Sequence, residues 1–198
     1  MTGKIKLNAT SGGGSVSFQA PSSTGDDRII TLPTTADGTV LTTTNPKSGN
    51  ILQVVQTIKK DQFTTSQAVG SGYTDITGLS VSITPSSTSS KILLKFSIYN
   101  SNNNAVNFFR ILRDSTFIEQ PSGTSISGAN YNAHGFAYFD HQFQDTTVIN
   151  ILDSPSTTSA TTYKVQTACT SNVVTINKFY NSTNYYGIST VTAMEVAG

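Results

Sequence analysis

The chain has 198 residues, only 12% of them charged, with a formal net charge of +1. It therefore lacks the clustered Lys and Arg that hold nucleic acid and offers no polybasic face to a membrane surface. Its length suits one domain with a real core, or a smaller domain with an appendage. With 10 Phe, 8 Tyr and abundant Thr, the composition favours pleated, half-buried surfaces.

The first 44 residues hold short apolar bursts, each ended by turn chemistry. Val16, Phe18 and Ala20 alternate with polar neighbours and stop at Pro21. Ile29, Ile30 and Leu32 stop at Pro33, and Val40 and Leu41 follow the turn Asp37-Gly38. Strands this short enclose no core of their own, and segments below roughly 40 residues seldom hold together without staples. Burial between copies around an axis is the economical solution. Val16, Phe18, Ile29, Ile30, Leu32, Val40 and Leu41 are thus expected to be inter-chain strand residues of a homotrimer. Pro46 to Gly49 reads as a hinge, dividing an attachment and trimerisation segment (1–48) from a β-sandwich (49–198).

Beyond the hinge the pattern is repetitive. "NILQVVQTIKKDQF" is rich in Val and Ile and reads as a strand. "GLSVSITP" alternates Leu79, Val81 and Ile83, and "SKILLKFSIYN" points Ile92, Leu94, Phe96 and Ile98 to one side. "YNSNNNAVN" reads as a polar, solvated turn. "NFFRILRDSTFIE" suggests two strands turning at Asp114-Ser115; "HGFAYFDHQF", "TTVINIL", "TTYKVQTAC", "NVVTINKF" and "GISTVTAMEVAG" complete the series. Eight to ten strands at spacings of about ten residues are the pattern of an antiparallel sandwich or jelly roll.

The early phrases "QAP", "ITLP" and "ADGTVLTT" resemble stretches in virion proteins of tailed bacteriophages, notably fibre and appendage proteins of marine and cyanobacterial phages. The part from "SGNILQVVQ" to "GISTVTAMEVAG" is similar to their compact trimeric heads, jelly rolls related in shape to the C1q and tumour-necrosis-factor families. The resemblance implies an all-β homotrimer attached to other virion proteins of tail or capsid, located in a virion assembled in the host bacterial cytoplasm. The role implied first is a tail fibre taking part in host-surface attachment, with a glycan or protein as receptor. The alternatives are a capsid decoration or cement protein that stabilises the head, and a small polysaccharide depolymerase. An exported adhesin would need a leader, and "MTGKIKLNAT" has no apolar run of that kind.

No catalytic signature stands in the sequence: no nucleophile elbow, phosphate loop or zinc-binding helix motif. The expectation is a non-enzyme without cofactor or metal, without membrane insertion and without nucleic acid. His134 and His141 read as ordinary sheet or loop histidines, and Cys169, sharing a strand face with Tyr163, Val165 and Thr167, as a buried structural thiol. Asp61, Asp75, Asp114 and Asp153 read as turn residues. The candidate recognition loop is "KFYNSTNYYG", where Tyr180, Tyr185 and Tyr186 mix with Asn181 and Asn184. Tyrosine offers apolar area with a polar tip, and asparagine hydrogen-bonds both ways. The competing reading turns these rings toward the trimer axis.

Overall fold

The computed structural model describes residues 4–8, 11, 15–19, 46–122 and 132–198. Two compact units divide the chain, Met1–Val40 and Leu41–Gly198. In the first, β1 (Lys4–Asn8) and β2 (Ser15–Gln19) form an antiparallel pair that sets Leu7 opposite Val16 and Ile5 opposite Phe18. Ile29, Ile30, Leu32, Val40 and Leu41 lie outside the described residues.

Among its described residues the second unit is all-β, apart from one 3-10 turn at Val69–Ser71. Its strands are β3 (Ile51–Lys59), β4 (Phe63–Thr65), β5 (Thr74–Ile83), β6 (Lys91–Arg113), β7 (Thr116–Phe117), β8 (Gly135–Asp153), β9 (Thr161–Cys169), β10 (Val174–Ile176) and β11 (Ser189–Val196). Every pairing between these strands is antiparallel. The alternating strands expected around Leu79–Ile83, Ile92–Ile98 and Tyr163–Cys169 are present, and their predicted inner faces are buried.

The architecture follows from one long hairpin folded over on itself. The first half of β6 pairs with the second half of β8 and with β11, which in turn pairs with β3. The second half of β6 pairs with the start of β8 and with β9, which pairs with β5. Asp153 stands opposite Ile92 at the start of β6, yet both its oxygens accept hydrogen bonds from Nη1 of Arg113, at 2.9 Å each, at the far end of that strand. The end of β6 therefore lies over its beginning. Layer one is β8–β6–β11–β3 and layer two is β8–β6–β9–β5, a jelly-roll-like sandwich whose layers share two strands. Leu94, Phe96 and Val191 from one layer meet Phe109, Ile111 and Val165 from the other in a single core. Tyr163 and Cys169 join it, as the strand-face reading of the thiol requires.

The fold-over has a local cause. The β6–β8 register shifts between Asn103 and Ala105, a bulge that sharpens the bend. Asn104 (φ 46°) and His141 (φ 70°) sit opposite each other in the left-handed region, and the Asn104 side-chain oxygen accepts the His141 N–H at 2.7 Å.

The polar run "YNSNNNAVN" is not a solvated turn. It is the middle of β6, and Asn100, Ser101, Asn102 and Asn107 are fully buried. Asn107 donates to the Asn100 side-chain oxygen at 3.0 Å and accepts from the Asn102 amide at 2.6 Å. Asn100 donates in turn to Thr147 Oγ1 at 3.0 Å. A buried amide is tolerable when each donor and acceptor is met, and these amides meet one another.

Pro46 to Gly49, read as a hinge, ends in a turn fixed to the last strand. Gly49 (φ 90°) donates its N–H to the Ala197 carbonyl at 2.8 Å, and Ala197 donates to the Asn50 carbonyl at 2.8 Å. Nearby, buried Glu195 accepts from Gln53 at 2.6 Å, from the Ser86 N–H at 2.7 Å and hydroxyl at 2.6 Å, and from Ser90 at 2.7 Å. Burial pushes its pKa up, but the donors of Ser86, Gln53 and Ser90 outweigh that and hold it below the ordinary carboxylate value.

His134 closes the second layer where β8 gives way to β7 beside β6. Its Nδ1 accepts the Ile111 N–H at 2.9 Å, which leaves Nε2 to donate to the Ile118 carbonyl at 2.7 Å. The ring is thereby fixed as the neutral tautomer. Burial lowers its pKa, against the opposing pull of the Ile118 carbonyl and of Glu119. The unfolded chain then takes up the proton more readily, so this contribution is complete above the unfolded value of about 6.5 and declines as pH falls below it. Thermal melts between pH 7.5 and 5 are expected to show a falling midpoint. The His134→Leu variant should melt lower at pH 7 and lose the part of that slope due to His134.

Candidate functional site

The acids expected at turns are occupied by the scaffold. Asp61 takes Lys59 Nζ at 2.7 Å, and Asp114 Oδ1 accepts the Thr162 N–H at 3.0 Å. Asp75 is not in a turn but in β5, where it takes Lys164 Nζ at 2.8 Å and the Gln166 amide at 2.6 Å. Asp153, at the end of β8, is buried between Arg113 and Tyr163. His141 pairs with Asp140 at 3.1 Å on the open surface, far in role from a ligand set. Among the described residues no group of three or more His, Cys, Asp or Glu is placed to hold a metal ion, and no catalytic constellation is assembled.

The tyrosine-rich loop is a compact turn between β10 and β11. Phe179 N–H donates to the Tyr185 carbonyl at 3.0 Å, and the two rings meet edge to face at 6.1 Å. Tyr186 donates its hydroxyl to the Thr183 carbonyl at 2.7 Å, and Asn181 takes a left-handed φ of 55°. Tyr185, Tyr186, Asn181 and Asn184 are exposed, while Tyr180 is half-buried. Tyr180 and Asn181 line an open depression of about 210 Å³ with Lys178, Thr64, Thr175 and Val173. Tyr185 and Tyr186 are not among its lining residues.

A larger feature escaped the sequence reading. The outward positions of layer one form rows across all four strands. Leu152, Leu93, Met194 and Val54 stand side by side in register, with Val196 and Ile51 in the next row. A polar row follows, Asn150, Lys95, Thr192 and Gln56, in which Gln56 donates to Thr192 at 2.8 Å. Beyond it lie Val148, Ser97, Thr190 and Ile58. Val54, Ile51, Leu152, Val148 and Ile58 are each about half exposed, at 47–58%. Along β8, which among the described strands pairs only with β6, Phe136 and Tyr138 on one face are 70% exposed, and Phe143, opposite buried Asn102 on the other face, is 60% exposed. Alternation in β3 and β8 hints at these faces, but only the register places Leu93, Met194 and Val54 in one row.

No protein-family model matches the chain, and no curated protein matches it either. Solved structures do. One is the infectious bursal disease virus Gx strain, at 15% identity and TM-score 0.41 over 97% of this chain and 46% of that one. A second, infectious bursal disease virus VP2 subviral particle, is 14% identical with TM-score 0.39 over 93% of this chain and 48% of that one. This chain thus spans less than half the length of the viral chains it matches.

These comparisons correct the phage reading. They return particles of an icosahedral virus without tails, so the tailed-bacteriophage resemblance, the tail-fibre role in host attachment and assembly in a bacterial cytoplasm are withdrawn. The physical reason lies in what carried the resemblance. "QAP", "ITLP" and "ADGTVLTT" are short phrases of apolar residues beside proline or Asp-Gly, a composition too common among β-rich sequences to specify a phage protein.

Proposed function

We propose that the protein is a non-catalytic structural subunit of a virus shell, a capsid component or a protein that decorates and cements the capsid, acting as a ring of three copies. Residues 1–48 serve as its attachment segment and residues 49–198 as its packing body. The observation that carries this reading is the outer face of layer one, where apolar side chains occupy outward positions on every strand. Antiparallel sheets ordinarily turn a polar face to water, and here apolar bands on either side of one polar row expose enough apolar surface to mark an interaction face. The low charge of the chain is consistent with that, since interface cores are poor in charged residues. Light scattering on the purified chain is expected to give a multiple of 21.0 kDa, three-fold in this reading. A strict monomer up to high micromolar concentration contradicts it.

A further inference from the structure

A sheet edge without a partner exposes a row of backbone N–H and C=O groups, and proteins blunt such edges with charge, proline, a bulge or brevity. Most edges of the second unit are blunted in these ways. β4 and β7 have only three and two residues. β5 shifts register between Asp75 and Ser80 around Gly78, whose φ is 80°. β8 carries left-handed His141 at its bend, with Asp140 and Asp145 nearby, and the inner residues of its second half, Ile149 and Ile151, are already buried. β3 has none of these devices over its central stretch. Among the described strands it pairs only with β11, in unbroken register from Gln53 to Lys59, and Ile51 to Ile58 include no charge, proline or glycine. Its inward residues Gln53, Val55 and Thr57 are only half-buried, so the core is incompletely covered along this edge.

We infer that β3 pairs antiparallel with β3 of a second copy about a twofold axis at Gln56, joining two layer-one sheets edge to edge. The strand is self-complementary about that residue. Pairing there sets Gln56 beside its own counterpart, Val54 beside the second copy's Ile58, Val55 beside Thr57 and Gln53 beside Lys59. Apolar residues meet on the outer face, amides meet on the axis, and no charge stands opposite a like charge. A copy of the same chain is therefore the occupant this edge fits, and backbone hydrogen bonds supply the affinity, as in strand addition generally. The joined sheet has eight strands, within the usual span of open sheets. A twofold contact closes on itself at two copies. In a shell it would tie one ring of three to the next, so it goes beyond the ring reading and is tested separately from it.

Cysteine crosslinking on the full chain tests it, since the native thiol, Cys169, is buried. With a short thiol crosslinker, Gln56→Cys is expected to give a covalent pair at twice 21.0 kDa on a denaturing gel. Val54→Cys and Ile58→Cys should each stay single, because either residue then lies about 13 Å from its counterpart, four residues along the strand. Mixed, those two should crosslink to each other. Gln56→Lys and Gln56→Glu should each associate about threefold to fivefold more weakly than the parent chain in light scattering, and a mixture of the two should recover the loss. All these positions are exposed, and circular dichroism checks that the fold survives. A Gln56→Cys chain that assembles like the parent without crosslinking overturns this contact and leaves the subunit reading intact. Equal crosslinking of all three cysteine variants alone does the same, since it denies the antiparallel register. A parent chain that stays monomeric overturns both.

Discussion

Replacing Asp153 with alanine is expected to destabilise the fold by about 2–4 kcal/mol, the cost of taking a buried carboxylate from a partly exposed guanidinium and a buried phenol. The carboxylate is 4% exposed and joins three parts of the chain. It accepts two bonds from Arg113 and one from the Tyr163 hydroxyl at 2.6 Å, while Tyr163 itself is wholly buried. Burial, then the hydrogen bond to Asp153, pushes the phenol far above its ordinary pKa, so the hydroxyl remains a donor at any working pH. Alanine leaves that hydroxyl without its acceptor and the guanidinium without its counter-charge. Tyr163→Phe removes only one donor and should cost about 1–3 kcal/mol. Urea unfolding at pH 7 reads both, and an Asp153→Ala midpoint close to that of the parent protein would show that the two ends of β6 are held together by other contacts.

The second large effect is expected at Asn107, which is fully buried. Its amide nitrogen serves the Asn100 side-chain oxygen and, at 3.4 Å, the Ser101 carbonyl; its oxygen serves Asn102. Asn107→Ala strips one partner from each of two buried amides. At about 1–3 kcal/mol for each group left unmet, the expected loss is about 2–6 kcal/mol. Asn107→Asp should be worse, because a carboxylate would face the Asn100 oxygen that now accepts from an amide. Equilibrium unfolding of the two variants, read by tyrosine fluorescence and by circular dichroism, checks the order. Equal stability of Asn107→Ala and the parent chain contradicts the network as described.

The strand content was legible because its signal is local. Alternation in "KILLKFSI" placed Ile92, Leu94, Phe96 and Ile98 on one face, and all four are buried. The asparagine run was misread for an equally local reason. Its residues favour turns when they bond to nearby backbone, and nothing in the string shows that Asn100 and Asn107 will bond to each other across a bend. Asp153 belongs to the same class, since its partners are 40 residues upstream and 10 residues downstream. The interaction face was hidden because a row across four strands is a property of register. Leu93, Leu152, Met194 and Val54 are unremarkable apolar residues until pairing sets them abreast. The tyrosine loop was found by composition, yet composition says nothing of direction, and Tyr180 faces a depression that Tyr185 and Tyr186 do not line.

Because β6 and β8 run through both layers, neither layer is able to open by itself. Amide protons in the first half of β6 and in the second half should exchange with deuterium at one common, slow rate that reports global opening, where two sheets held only by side-chain packing would exchange separately. The price is paid in time. Most of the pairings join residues remote in sequence, so refolding should run on the millisecond-to-second scale typical of non-local β topologies, with the shared hairpin as the step on which everything else waits.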